Sequence, residues 1–258
     1  MALTAPAPGN APRNTAGNAG NAPRNPLQTF YETPGVPLSS GPDRARRQAR
    51  MLAGILRDLP APAVVLDVGC GDGAALAVAA TQNPEHHVAG IDWSADALRQ
   101  ARARGLTVVR GTMETRLPVA GDAADVVIMS ELIEHLVDPD GALEEVRRVL
   151  RPGGALLLST PNLAAWYNRG LLAAGVQPVF SEVSLRGVFG RPGSVVAGHL
   201  RLFTRRALTE FLTASGFRCV TVAGASYHDV PRLMQPFDRA FCRWPSAASI
   251  LLVHARKQ

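Results

Sequence analysis

Two groups of residues in this sequence have the types and spacing of chemistry. The first is Leu66-Asp67-Val68-Gly69-Cys70-Gly71-Asp72-Gly73, with Asp92 following nineteen residues after Gly73. Glycines permit a tight strand-to-helix turn and close approach of backbone to a ligand, and a carboxylate at the end of the next strand can accept both hydroxyls of a ribose. Read loosely, Gly69, Gly71 and Ala74 also satisfy a dinucleotide fingerprint, so glycine spacing alone does not choose the ligand. Charge does. Asp67 and Asp72 repel a pyrophosphate and favour a ligand that carries positive charge beside its ribose. The second group is Ser130-Glu131-Leu132-Ile133-Glu134-His135, where spacings of three and four put Glu131, Glu134 and His135 on one face of a helical turn. Two carboxylates and an imidazole suit a divalent cation with oxygen preference, such as Mg or Mn, with His199 as the candidate fourth ligand. The same residues leave open direct proton transfer by His135 or His199, or a purely structural cluster.

These residues need a scaffold that brings strand ends together. Met51, Leu52, Ile55, Leu56 and Leu59 share one face of a helix expected over about 43–59, with the arginines largely elsewhere. Strands are expected at 64–68, 87–91, 106–110, 125–129, 155–159, 217–223 and 250–255. Between them, helices are expected from 73 to about 82, from Ser94 as cap to about 104, from Asp138-Pro139 to the Pro152-Gly153-Gly154 stop, and from Thr204 to 215. Alternating strands and helices imply an α/β fold, a doubly wound, mostly parallel seven-stranded sheet with ligands at the carboxyl ends of its strands. Residues 161–203 break the rhythm and read as an inserted cap that would carry substrate specificity, and 224–248 have no clear pattern. Residues 1–26, with Gly-Asn-Ala-Pro-Arg-Asn at 9–14 and again at 20–25, read as a disordered tail, and Phe30 to Pro42 as a strap over a domain spanning 43–258.

The first motif resembles the class I S-adenosylmethionine-dependent methyltransferases of the Leu-Asp-x-Gly-Cys-Gly-x-Gly type, over about residues 45–222. Asp67 and Asp72 agree with this, since they would stabilise the ammonium and sulfonium of that donor. The resemblance implies that Asp67 anchors the methionine amino group, that Gly69, Cys70, Gly71 and Gly73 line the cofactor, and that Asp92 holds the ribose with Trp93 against the adenine. Ser130, at the end of the fourth strand, joins the cofactor residues. Many relatives place an Asp after the glycine that ends the third strand; here the run is Gly111-Thr112-Met113-Glu114, which leaves the Met113 amide or the Thr112 hydroxyl for the adenine amino group. Glu131-x-x-Glu134-His135 with a later His199 resembles ubiquinone-biosynthesis O-methyltransferases and small-RNA terminal 2′-O-methyltransferases, whose metal engages acceptor hydroxyls.

Composition narrows the function classes. The sequence has 258 residues, 27 basic and 21 acidic, and no apolar run long enough to span a membrane. Cys70, Cys219 and Cys242 are too far apart for a disulfide framework or zinc cluster, and no secretory signal is visible, so a cytoplasmic protein is expected. Net charge is +4 over 1–60, −6 over 61–160 and +8 over 161–258, which fits a cationic donor in the middle and an anionic acceptor near the C-terminal third. Without a dense lysine patch or an added binding module, nucleic acid is not the expected partner. The expected activity is transfer of a methyl group to a hydroxyl of a small molecule in specialised or cofactor biosynthesis; an RNA 2′-O-methyltransferase and a non-catalytic cofactor-binding subunit are the competing readings. His86 and His87 are expected to be solvated. Trp166, Tyr167 and Asn168 are placed to stack on an acceptor or to pack within the cap, and Arg186, Arg191 and Arg201 to bind an acidic group or remain solvated.

Overall fold

The computed structural model describes residues 41–258. The expected tail, and the strap with Phe30 and Tyr31 as far as residue 40, lie outside the described residues. Seven strands form one sheet in the order β3-β2-β1-β4-β5-β7-β6. They are β1 (Val64–Val68), β2 (His87–Asp92), β3 (Thr107–Arg110), β4 (Ala124–Ser130), β5 (Leu150–Pro161), β6 (Phe217–Ala225) and β7 (Ile250–Lys257). All neighbours pair parallel except β7, which is antiparallel to both β5 and β6. Strand order reverses between β1 and β4, and the crevice outside the carboxyl ends at such a point is where open α/β sheets bind ligands.

Among the described residues the helices are α1 (Pro42–Arg57), α2 (Ala74–Gln82), α3 (Ala95–Ala103), α4 (Pro139–Val149), α5 (Trp166–Ala173), α6 (Arg205–Ala214) and α7 (Gln235–Phe241). Three start where the sequence carries a cap: Ser94 accepts from the Ala97 amide, Asp138 from Gly141 and Thr204 from Ala207. Ala142, Leu143, Val146 and Val149 of α4 pack with Leu156, Leu158 and Val253 on one face of the sheet. On the other face, Leu52, Ile55 and Leu56 of α1 meet Val65, Val126 and Leu157.

α1 departs from its expected polarity in one respect. Its buried stripe is Arg44, Gln48, Leu52, Ile55 and Leu56, so the face that enters the apolar core at one end carries a guanidinium and an amide at the other. Arg44 is 4% exposed and its polar end lies over the carboxyl ends of the strands. β5 is also longer than expected. α4 ends at Val149, ahead of the expected Pro152-Gly153-Gly154 stop, and Leu150 already pairs: Ala124 pairs with Leu150 and Val126 with Ala155, and Gly153 at φ +73° supplies the left-handed residue in the extra length.

Between β5 and α6 the chain leaves and re-enters at one place, marked by a bridge between Asn162 and Phe203 and by the Leu163 amide donating to the Phe203 carbonyl. That excursion holds α5 and then irregular chain. The stretch without a sequence pattern contains a short 3₁₀ turn, Arg232–Met234, and α7. Among the described residues, no helix is long and apolar enough to cross a membrane.

Candidate functional site

The loop after β1 is built by left-handed backbone and by Asp92. Gly71 and Gly73 have φ of +55° and +77°, and a Cβ on Gly73 would lie 2.5 Å from Leu106 Cδ1. The Asp92 carboxylate accepts the Gly71 amide on Oδ2 and the Ser94 amide on Oδ1, each at 2.8 Å. Both oxygens are thus fixed in place and each keeps a lone pair for a further donor, the arrangement that two adjacent hydroxyls require. Burial, outweighing these amide bonds, raises its pKa. Asp67 is 4% exposed, and its Oδ1 is buried with no hydrogen-bond partner among the described residues. Burial pushes its carboxyl up to about 7, with the Arg44 charge opposing and Asp92 reinforcing the shift. A buried carboxylate with an unfilled acceptor is a place for an incoming cation.

Other residues assigned to the cofactor fall in different roles. Asp72 pairs with Arg104 at 2.9 Å and accepts the Ala74 amide, so its charge is already engaged at the start of α2. Cys70 borders the cavity, but its side chain packs with Leu76, Leu98 and Val108 beneath the loop, and burial pushes the thiol up to about 12. Trp93, Thr112 and Met113 line the same cavity, as does Ser130, whose hydroxyl accepts from Gln48 Nε2 at 2.5 Å.

The second group assembles differently from its spacing. Glu131 has φ +50°, and helical geometry starts only with the 3₁₀ turn Ile133–His135, so Glu131 does not share a face with Glu134 and His135. Its Oε1 accepts the Ser159 hydroxyl at 2.7 Å, and Ser159 also accepts from Arg44. The structure instead brings together Glu134, His135 and His199, with one ligand atom of each within 4.8 Å of the others. Glu131, the other acidic residue assigned to the metal set, lies outside this group of three, although its charge still acts on Glu134. Glu134 is fully buried: Oε2 accepts from the Thr160 hydroxyl at 2.9 Å, while Oε1 has no hydrogen-bond partner among the described residues and lies 3.9 Å from His135 Nε2. Burial, and then the neighbouring Glu131, raise its pKa well above the usual carboxylate range.

Each imidazole has its Nδ1 on a backbone carbonyl. His135 Nδ1 lies 3.1 Å from the Gly198 carbonyl and His199 Nδ1 3.1 Å from the Phe180 carbonyl. A carbonyl only accepts, so each Nδ1 carries the proton and each Nε2 presents a lone pair. Burial lowers both pKa values to about 4, with the mutual proximity of the rings adding to the effect at His135. Both rings are therefore neutral at pH 7.

One cavity of about 2100 Å³ connects these groups, running from Asp67 and Asp92 past His135 and His199 to Arg191, Tyr227 and Met234. That exceeds the roughly 300–1,000 Å³ of an ordinary small-molecule site and leaves room for two molecules side by side. Trp166 and Tyr167 line it, yet Trp166 donates to the buried Asp238 at 3.0 Å and stacks on Phe241, while Asn168 bonds the backbone of Val179. His86, expected in solvent, is 3% exposed at the side chain and accepts the Ala63 amide. Arg191 is buried against Glu182, and Arg201 donates to the Leu136 and Val137 carbonyls. Sequence reasoning missed Arg44 and Glu182. For Arg44 the signal was present, since 44, 48 and 52 continue the apolar stripe at helical spacing; nothing in the local sequence marks Glu182.

A family model described as a methyltransferase domain matches residues 43–222. Over 112 residues the chain is 41% identical to a malonyl-[acyl-carrier protein] O-methyltransferase of Herminiimonas arsenicoxydans, covering 43% of this chain and 42% of that protein. Over 110 residues it is 34% identical to a ubiquinone biosynthesis O-methyltransferase of Pectobacterium atrosepticum, covering 40% of this chain and 45% of that protein. The matched stretch is thus less than half the length of either relative. Among solved structures, a SAM-dependent methyltransferase from Methanosarcina mazei superposes with a TM-score of 0.55 at 20% identity, over 79% of this chain and 96% of that one, a likeness of fold.

Proposed function

The chain belongs to the class I S-adenosylmethionine-dependent methyltransferases, and from that premise we propose that it methylates a hydroxyl oxygen of a small molecule held beside Glu134, His135 and His199. The carrying observation is that both imidazoles are fixed with Nε2 lone pairs and stay neutral at pH 7. In the donor half, the Asp92 oxygens accept the ribose hydroxyls and Asp67 Oδ1 accepts the ammonium. Arg44, whose Nε has no hydrogen-bond partner among the described residues, pairs with the donor carboxylate. Trp93, Thr112 and Met113 border the adenine. In the acceptor half the hydroxyl lies in line with the sulfonium methyl: the carbon–sulfur bond breaks with its electrons going to sulfur, the carbon–oxygen bond forms, and the hydroxyl proton is lost.

Base strength weighs against the histidines acting alone. A general base works best with a pKa near the operating pH, and a value of about 4 makes these imidazoles weak proton acceptors. Neutral imidazole is, however, the form that ligates metals, and Glu134 Oε1 is an unfilled acceptor beside it. We propose that Glu134, His135 and His199 hold a divalent cation; with two nitrogen donors, Mn or a similar transition ion fits better than Mg. When bound, such an ion would lower the pKa of the acceptor hydroxyl.

Some arginines of the basic C-terminal third are tied into the fold: Arg169 and Arg256 donate to carbonyls, and Arg191 is buried against Glu182. This favours a small acceptor over RNA. Incubation with methyl-labelled S-adenosylmethionine and a panel of hydroxylated small molecules is expected to yield an O-methyl product at a rate little changed by added salt. Label transferred only to RNA, with steep loss as salt rises, would overturn the proposal.

A further inference from the structure

Glu182 lies in the irregular chain after α5, and its side chain is 3% exposed. Its carboxylate accepts four donors: Arg191 Nη2 at 3.1 Å and the Ala197 amide at 2.6 Å on Oε1, and the Gly198 and His199 amides at 2.7 and 3.0 Å on Oε2. A carboxylate has about four lone-pair sites, so this one is saturated. Three successive backbone N–H groups turned toward one anion form a concave nest, and Gly198 makes that turn possible at φ +83°, where a side chain would be strained.

The chain wrapped around this carboxylate is the chain that orders both histidines. His199 takes its place in the site from it, and the Gly198 carbonyl is the group that receives His135 Nδ1–H. We infer that Glu182 is a positioning residue for the reaction: by gathering the amides of 197–199 it places His199 and aims the Gly198 carbonyl, so that both Nε2 atoms face the cavity together. The guanidinium of Arg191 balances its buried charge and also donates to the Val195 carbonyl at 2.8 Å, which ties the start of the same turn. An amide at position 182 cannot do this. It would keep one acceptor oxygen and point an NH₂ group at amides that need an acceptor.

The inference rests on the proposed role of the two imidazoles, so its test must separate the two. Full-length protein with ¹⁵N-labelled histidine is measured by long-range ¹H–¹⁵N correlation at neutral pH, with His135 and His199 assigned by single replacement. Calorimetry with S-adenosylhomocysteine is run in parallel. The parent is expected to show both rings in the Nδ1–H form. Glu182→Gln is expected to lose that form at both rings while S-adenosylhomocysteine affinity stays within about twofold, a change of less than 1 kcal/mol. A folded Glu182→Gln variant with both Nδ1–H forms intact would overturn the inference and leave the reading of the histidines standing. A parent without those forms overturns both. If Glu182→Gln does not fold, Glu182→Asp carries the test under the same criteria, since it keeps the charge and shortens the reach to the three amides.

Discussion

His199→Ala is expected to lower kcat by roughly 10²–10⁴-fold, the scale of losing a positioned group that acts on a transferred proton, while leaving donor affinity nearly unchanged. The expectation follows from geometry: His199 lies with Glu134 and His135, and its Nδ1 is committed to the Phe180 carbonyl. His135→Ala is expected to match it, and the double variant to be little worse than either, because both rings serve one site. Steady-state rates with labelled donor measure this, and excess chelator sorts the mechanism. Turnover that stops in chelator and returns with Mn, at constant donor affinity, supports the cation; full turnover in chelator removes it and leaves the histidines as direct bases. Variants that keep parental rates would take the cluster out of the reaction.

The second large effect is on donor binding. Asp92→Ala is expected to cost at least about 1.5 kcal/mol, roughly tenfold in Kd, since charge-assisted hydrogen bonds to both ribose hydroxyls are lost. The Gly71 and Ser94 amides, now without their acceptor, would add to the loss by loosening the loop. Calorimetry with S-adenosylhomocysteine reads it directly, and NAD, which would bring a pyrophosphate against Asp67, is expected not to bind. Asp67 makes the affinity depend on pH. Its carboxyl is raised to about 7 in the folded protein, whereas the ligand ammonium favours the ionised form, so binding expels a proton. Affinity should therefore fall as pH drops below about 7, by at most about tenfold per unit, and level off above it. In Asp67→Asn this contribution disappears, so the ratio of parent to variant affinity carries the pH dependence.

Much of the donor half is legible in sequence because it is local. The run from Leu66 to Gly73 is continuous, Asp92 ends the next strand, and the caps Ser94, Asp138 and Thr204 sit at the helix starts. The acceptor half is harder to read because its contacts are long-range or depend on one dihedral. The spacing of Glu131, Glu134 and His135 predicts one helical face, but the left-handed Glu131 delays the turn until Ile133 and sends its carboxylate to Ser159. His199 reaches His135 across irregular chain, with ring centroids 4.8 Å apart. Helical periodicity sorts residues by polarity, so it assigned arginines to solvent; Arg44 is inside because Gln48 and Ser159 receive its N–H groups beside three carboxylates.

Donor and acceptor are expected to meet over the end of β4, with the ribose at Asp92 and the transferable methyl facing Glu134, His135 and His199. A crystal structure with S-adenosylhomocysteine tests this most directly. The expected result has both ribose hydroxyls on the Asp92 carboxylate, the amino group at Asp67, and the sulfur turned toward the His135 and His199 Nε2 atoms. A ribose bound elsewhere, or a sulfur facing away from those imidazoles, would contradict it.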